Sequence, residues 1–345
     1  MSGEIIVSVV MPVYNEEKYI DACVRSLLLQ DYPKSQMEWI FVDGNSTDRT
    51  REILQGYERA YPTLIRVLQN SARIVPISMN VGISRARGRY IVRLDAHAEY
   101  EPDYISACVW CLEHTGAQNV GGVAQTKGRG LVGGAIAKML SSRFGVGNSA
   151  FRTGGESGFV DTVPFGAFRR EVFSRYGGYD ERLRRNQDNE LNFRIRRHGG
   201  GVYLSTDIRF SYYCRDSVGG IARMARDNGT WNVITGKLCP GAMRLRHFVP
   251  LLFLLSLTAL FLLGAVGALV SRSALFFLPL AAELVVYVLA DVCFSLQLAG
   301  SVRELCLLLA LFPIFHLSYG WGSVRGLFRL CSKKYRKSAY RPPKI

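Results

Sequence analysis

The sequence predicts an α/β fold: an open, mainly parallel sheet with helices on both faces, followed by a block of apolar helices. Three observations carry that expectation. Apolar, β-branched runs alternate with amphipathic helical stretches through residue 120. Three of the runs stop abruptly in polar loops, at Tyr14, Asp43 and Asp95. The strongest hydrophobicity of the 345-residue chain is concentrated after His247.

The elements follow in order. Ile5 to Met11 reads as a buried strand running into Pro12-Val13-Tyr14-Asn15-Glu16-Glu17. Ile20 to Gln30 is an amphipathic helix. Trp39 to Val42 is a second strand, ending at Asp43-Gly44-Asn45-Ser46-Thr47-Asp48, and Ser46 with Asp48 is suited to cap a helix from Asp48 to Tyr61. Tyr90 to Leu94 is a third, ending at Asp95-Ala96-His97. Tyr104 to His114 is helical. Residues 121 to 160 are crowded with glycine and have few periodic signals, which predicts a mobile loop bordering a binding groove. Phe159 to Phe168 then reads as strand and turn, Arg170 to Tyr176 as a helix, and Leu191 to Arg197 as another. The obvious hinge is Cys239-Pro240-Gly241, so the division expected is 1–240 for a catalytic domain, 241–330 for a membrane region and 331–345 for a basic tail.

From Phe248 to Val270 the chain is uncharged for about 22 residues, roughly 33 Å of helix and enough to cross a bilayer core. Ala274 to Gly300 is a second apolar stretch, carrying Glu283 and Asp291 about 80° apart on a helical wheel, a placement that suits burial against protein rather than lipid. Leu305 to Val324 is a third, with His316. Arg244, Arg246 and His247 favour a cytoplasmic start, and the tail Lys333-Lys334-Tyr335-Arg336-Lys337 favours a cytoplasmic end. Three full crossings would separate these two basic segments, so one later stretch is expected to be re-entrant or interfacial. The short acidic head leads straight into a strand with no secretory signal, which predicts a cytosolic catalytic part of a multi-pass protein of the cell membrane.

The formal net charge is +15, with a sequence pI near 9.6 and mean hydropathy +0.09. Such a charge raises nucleic acid as a partner, but the basic residues form no recognisable binding module and many flank the apolar region. An anionic leaflet and bound diphosphate are the expected partners. Eight cysteines are scattered; Cys108 and Cys111 sit at helical spacing with no second pair for zinc, so reduced packing thiols are expected.

In an open α/β sheet, ligands bind outside the carboxyl ends of the strands, so the three polar loops should converge on one site. Alternation puts Asp95 and His97 on one side of an extended chain, within reach of one divalent cation. Asp43, read alone, is a turn or cap residue. Asp188 and Glu190 lie where favourable charges would stand at a helix N-terminus.

The Pro12 to Glu17 start, the Asp43 to Asp48 turn, Ala86-Arg87-Gly88, the Asp95-Ala96-His97 triplet and Gln187-Asp188-Asn189-Glu190-Leu191 resemble, in that order, family 2 glycosyltransferases of the GT-A (nucleotide-diphospho-sugar transferase) fold. They are most similar to membrane-attached, succinoglycan-type exopolysaccharide enzymes. The similarity covers about the first two thirds of the chain. It implies an inverting, metal-dependent hexosyltransferase that moves a sugar from a nucleotide-sugar donor, UDP-linked by expectation, to a lipid-linked glycan acceptor in cell-surface polysaccharide synthesis. It implies Asp188 as catalytic base; Pro12, Tyr14, Asn15, Glu16, Asp43, Arg87 and Asp95 at the nucleotide sugar; and Asp95 with His97 at a Mn²⁺ or Mg²⁺. Gln187, Glu190, Arg226 and Trp231 are candidates for acceptor or diphosphate contacts. Two departures stand out. His97 occupies the place of a usual second aspartate, so it either binds the metal, orients a metal-bound water or contacts phosphate. Gln187 replaces the usual glutamate before the base, which removes a negative neighbour from Asp188.

The alternatives are a synthase that loads sugar onto polyprenyl phosphate, and a non-catalytic membrane scaffold that keeps a nucleotide-binding fold. A dehydrogenase is disfavoured because no G-x-G-x-x-G follows the first strand. A processive polymer synthase is disfavoured because the apolar region is short.

Overall fold

The computed structural model describes residues 4–332, 335, 343 and 345. The described chain forms two compact units: the residues up to Gln125 with Ala150–Tyr213 and the last described positions, and Thr126–Ser149 with Cys214 onward to residue 335.

The first unit is built on a sheet whose strands are β1 (Val7–Val13), β2 (Met37–Asp43), β3 (Ile65–Gln69), β4 (Tyr90–Arg93), β5 (Ala98–Tyr100), β6 (Asn119–Lys127), β7 (Gly158–Phe159), β8 (Ala167–Arg169) and β9 (Val202–Tyr213). Their order is β3-β2-β1-β4-β8-β6-β9-β5, with β7 also on β9. The ladder is parallel through β3, β2, β1 and β4. Beyond it, β4 with β8, β8 with β6, and β9 with both β5 and β7 pair antiparallel, so the sheet is mixed and the parallel expectation describes its first half. Helices α1 (Ile20–Leu28), α2 (Thr50–Ala60) and α3 (Val75–Arg85) follow the first three strands, and such crossovers are what parallel pairing requires. Alternate residues feed two cores. Val7, Val9, Met11, Trp39 and Phe41 face α1 and α4 (Tyr104–His114), whereas Val10, Ile40 and Val42 meet Met79 and Ile83 of α3.

The glycine-rich segment is ordered. It comprises β6, α5 (Gly130–Leu140) and the short helices α6 (Arg143–Val146) and α7 (Ala150–Thr153), which corrects the expectation of a mobile loop. The glycines serve close approach: a Cβ on Gly122 would fall 1.8 Å from the Ile208 carbonyl oxygen. Two further helices complete this unit, α8 (Glu171–Tyr176) and α9 (Gln187–Arg197). The latter begins four residues before the expected Leu191.

The second unit holds α5, α6, α10 (Val218–Leu238) and the apolar α11 (Val249–Ser271), α12 (Leu278–Leu298) and α13 (Val302–Leu330). The last three are long and apolar enough to cross a membrane, spanning Leu245–Ser271, Ala274–Leu298 and Val302–Leu330 with their flanking turns. Both acids of the second stretch have partners: Ser256 Oγ donates to Glu283 (2.5 Å) and Ser295 Oγ to Asp291 (3.0 Å). His316 lies between the Tyr287 hydroxyl and the Phe144 carbonyl. Glycines let α10 and α13 meet backbone to backbone, at Gly229 against Tyr319 and at Gly322 against Arg226. Residues 333, 334, 336 and 337 of the basic tail lie outside the described residues. No disulfide links the described cysteines.

Candidate active site

Parallel pairing brings the carboxyl ends of β1, β2 and β4 to one edge of the first unit, Val13 beside Asp43 in register. Two loops interlock there. Asn15 and Asn45 adopt positive φ, 54° and 63°, which Asn tolerates better than most residues. Ser46 donates from N (3.1 Å) and Oγ (2.6 Å) to Asp43 and accepts from the Asn15 amide, while the Asn15 side chain accepts from Thr47 N. Glu16 N donates to Thr50 Oγ1. Asp43 is therefore 1% exposed and held in a turn, with Pro12 in β1 below it and the Tyr14 ring exposed beside Arg73.

Asp95 lies two residues past the end of β4. Its backbone is gripped by the Tyr100 hydroxyl, which accepts from Asp95 N (2.8 Å) and donates to its carbonyl (3.0 Å). The chain turns at Ala96 and His97 instead of staying extended, so strand alternation does not govern the direction of His97. His97 Nδ1 instead lies 3.0 Å from Glu16 Oε1, and its ring meets Tyr212 edge-on. Glu16 thus joins the candidate metal side through His97. Among the described residues no three metal-binding side chains converge. The donor set, carboxylate oxygens and one imidazole, nevertheless fits a divalent cation that completes its shell with phosphate oxygens and water.

The residue that sequence reasoning passed over is Arg93. It ends β4 within an apolar run and is 4% exposed, yet its guanidinium donates both to Asp95 Oδ1 (3.2 Å) and to Asp188 Oδ1. A charged side chain inside a buried strand needs a partner, and that is the signal that could have found it. Burial works against the Arg93 charge, but Asp188 and Asp95 outweigh it and hold the group charged. Burial raises the Asp188 carboxyl above its ordinary range, with Arg93 opposing. Arg93, Asp95 and Asp188 line one cavity of about 240 Å³ with Arg152, Thr162 and Tyr212.

The other candidates separate. Glu190 is engaged by Arg194 (2.6 and 2.9 Å), which also binds the carbonyls of Tyr176, Gly177 and Gly178. Gln187 is buried, and its Oε1 has no hydrogen-bond partner. Arg87 is a correction: it precedes β4, at the end of the strand away from Asp95, and its guanidinium pairs with Glu38 (2.9 Å) near the start of β2. Arg226 and Trp231 belong to α10 of the second unit, where Trp231 is buried and edge-on to Tyr335.

Residues 8–177 match the family described as Glycosyl transferase family 2. Over those residues the chain carries a family 2 glycosyltransferase domain. Among curated relatives, a dolichyl N-acetyl-alpha-D-glucosaminyl phosphate 3-beta-D-2,3-diacetamido-2,3-dideoxy-beta-D-glucuronosyltransferase of Methanococcus voltae is 26% identical over 333 residues, 94% of this chain and 97% of that one. The succinoglycan biosynthesis protein ExoA of Rhizobium meliloti is 32% identical over 209 residues, covering 60% of this chain and 63% of ExoA. In structure, the chain resembles the mannosyltransferase PcManGT from Pyrobaculum calidifontis, solved with GDP-Man and Mn²⁺ (TM-score 0.63, 20% identity, 95% of this chain and 88% of that one). That likeness establishes the fold, GT-A.

Proposed function

We propose that this glycosyltransferase moves a sugar from a nucleoside-diphosphate donor, UDP-linked, to a lipid-linked glycan at the cytoplasmic face of a membrane, inverting the anomeric centre. The observation that carries the reading is the Arg93 clamp: one buried guanidinium holds the two carboxylates the reaction needs, Asp95 and Asp188, at the wall of one cavity. The name of the Methanococcus voltae relative, which acts on a dolichyl-linked sugar phosphate, supports a lipid-linked acceptor, PcManGT was solved with a nucleotide sugar and Mn²⁺, and three long apolar helices support membrane attachment.

In this scheme Asp43, Pro12, Tyr14 and Asn15 border the donor's base. Asp95 would hold a Mn²⁺ or Mg²⁺, which when bound supplies Lewis-acid stabilisation of the departing diphosphate. His97, whose Nδ1 lies 3.0 Å from Glu16 Oε1, is the candidate for a second ligand position, since a carboxylate on one ring nitrogen is the arrangement that orients a metal-binding imidazole. Asp188 takes the proton of the acceptor hydroxyl. That oxygen then attacks the anomeric carbon from the side opposite the diphosphate, the glycosidic C–O bond breaks, and its electron pair leaves with the phosphate. Arg93 opposes the effect of burial on Asp188, so the carboxylate is held in place and ionised before it takes the proton.

The test offers the full-length protein in detergent a panel of nucleotide sugars, native lipid extract and Mn²⁺, with product identification by mass spectrometry. Sugar added to a lipid-linked glycan is the expected result. Sugar on bare polyprenyl phosphate would replace the acceptor assignment with the synthase reading, and no transfer from any donor would overturn the proposal.

A further inference from the structure

Arg152, on α7, has no part in that scheme, yet it lines the cavity that holds Asp95 and Asp188. Its guanidinium lies over two aromatic faces, 5.3 Å from the Phe151 centroid and 5.4 Å from that of Tyr212. Nη1 is buried and has no hydrogen-bond partner. Desolvated guanidinium nitrogens ordinarily find an acceptor, and one left unpaired at a cavity wall marks a place where a ligand supplies it. The carboxylates of the cavity, Asp95 and Asp188, accept from Arg93, and neither bonds Arg152 Nη1.

From this arrangement we infer that Arg152 is an anion-binding residue that takes phosphate oxygens of a substrate. The aromatic faces engage the guanidinium by its π surface, which leaves its in-plane N–H groups for polar partners, and a planar fork of this kind suits two-point contact with phosphate. Charge agrees. Two carboxylates and two arginines cancel, and a divalent cation at Asp95 would leave a double positive surplus that suits a diphosphate ester. Tyr212, beneath Arg152, also meets His97 edge-on at 5.2 Å, so the proposed phosphate contact and the proposed metal side share one wall. The inference rests on the catalytic reading of this cavity. The phosphate has two sources of the same chemistry, the donor's diphosphate or the phosphate carried by a lipid acceptor.

Binding to full-length protein in detergent distinguishes them, with inorganic pyrophosphate, UDP with Mn²⁺, and a polyprenyl diphosphate as probes. Arg152→Gln is expected to weaken pyrophosphate by about tenfold or more, as loss of a charge-assisted contact does, and Arg152→Lys to recover part of that loss. A parallel loss for UDP identifies the donor's diphosphate; a loss for the polyprenyl probe identifies the acceptor's. Affinities of Arg152→Gln within about twofold of wild type for all three probes would overturn the inference. If Arg152→Gln fails to melt cooperatively, Arg152→Lys decides: weakened pyrophosphate binding supports the assignment, and wild-type binding makes Arg152 a packing residue. Failure of wild-type transfer across the donor panel would sink the reaction scheme, whereas pyrophosphate binding still decides Arg152.

Discussion

Two acidic residues two positions apart on α9 have opposite fates, and the difference is what each one touches. Glu190 is tied by Arg194 to the turn at Gly177-Gly178. Asp188 faces the cavity and the Arg93 clamp. Asp188→Asn is therefore expected to lower turnover by roughly 10² or more with donor affinity unchanged, and Glu190→Gln to lower thermal stability while turnover persists. Calorimetry beside turnover separates these outcomes; turnover lost in Glu190→Gln but kept in Asp188→Asn would reverse the assignment. Because burial raises Asp188, the proposed base is protonated at a higher pH than an ordinary carboxyl, and kcat/KM should fall with acidification through that raised value. Arg93→Met removes the opposing charge, so the same acidic limb should move to still higher pH. It also leaves two carboxylates facing each other without their cation, at a cost of about 3 kcal/mol or more in a denaturant melt. An unmoved limb would show that Arg93 does not tune the base. Asp95 and Asp188 were legible because each stands in a short motif at the end or start of an element. Arg93 was not, because Tyr90-Ile91-Val92-Arg93-Leu94 reads as one strand and nothing local announces partners 2 and 95 positions away.

At the level of elements, glycine was legible as a residue but not in its purpose. Thirty-four glycines in the chain, with a crowd between 121 and 160, read as mobility when no helical or strand period runs through them. In the folded chain the same residues let β6 lie against β9: Gly122 has no room for a methyl group beside Ile208, and Gly121 none beside Val163. Close backbone contact and flexibility leave the same composition and differ only in what lies opposite, which is non-local. Gly122→Ala is thus expected to destabilise the first unit by about 2 kcal/mol or more through strand displacement, read as a lowered unfolding midpoint. Gly134, which has nothing within 4 Å of such a methyl group, is the control, and Gly134→Ala inside α5 should be neutral or mildly stabilising. Equal effects at the two sites would mean that neither packing nor backbone freedom distinguishes them. The paired loops after β1 and β2 were easier to anticipate, because polar residues directly after buried strands have few places to go but the carboxyl edge of the sheet.

Across the whole molecule, the strand–helix alternation and the three apolar stretches were readable from hydropathy, and the hinge at Pro240 was read from the point where hydropathy rises. Compactness divides the chain elsewhere. α10, which precedes that hinge, packs along α13, with Ile221, Ala225, Thr230, Trp231 and Ile234 buried in the second unit. Gly326 of α13 sits against the Thr230 backbone and the Val233 side chain, an approach that no hydropathy profile reports. A chain ended at Pro240 therefore loses the partner of α10 and uncovers an apolar face, of the kind that drives association. Such a chain is expected to aggregate or to need detergent. By contrast, residues 4–125 joined by a short flexible linker to 150–213 keep all nine strands, β6 losing only its last two residues, with both cores and every proposed donor loop, and should be soluble. Size-exclusion chromatography without detergent, with calorimetric titration of UDP and Mn²⁺, compares the two. A monodisperse chain ending at Pro240 would mean that α10 does not need α13 to stay covered, and the boundary at Pro240 would then be the physical one.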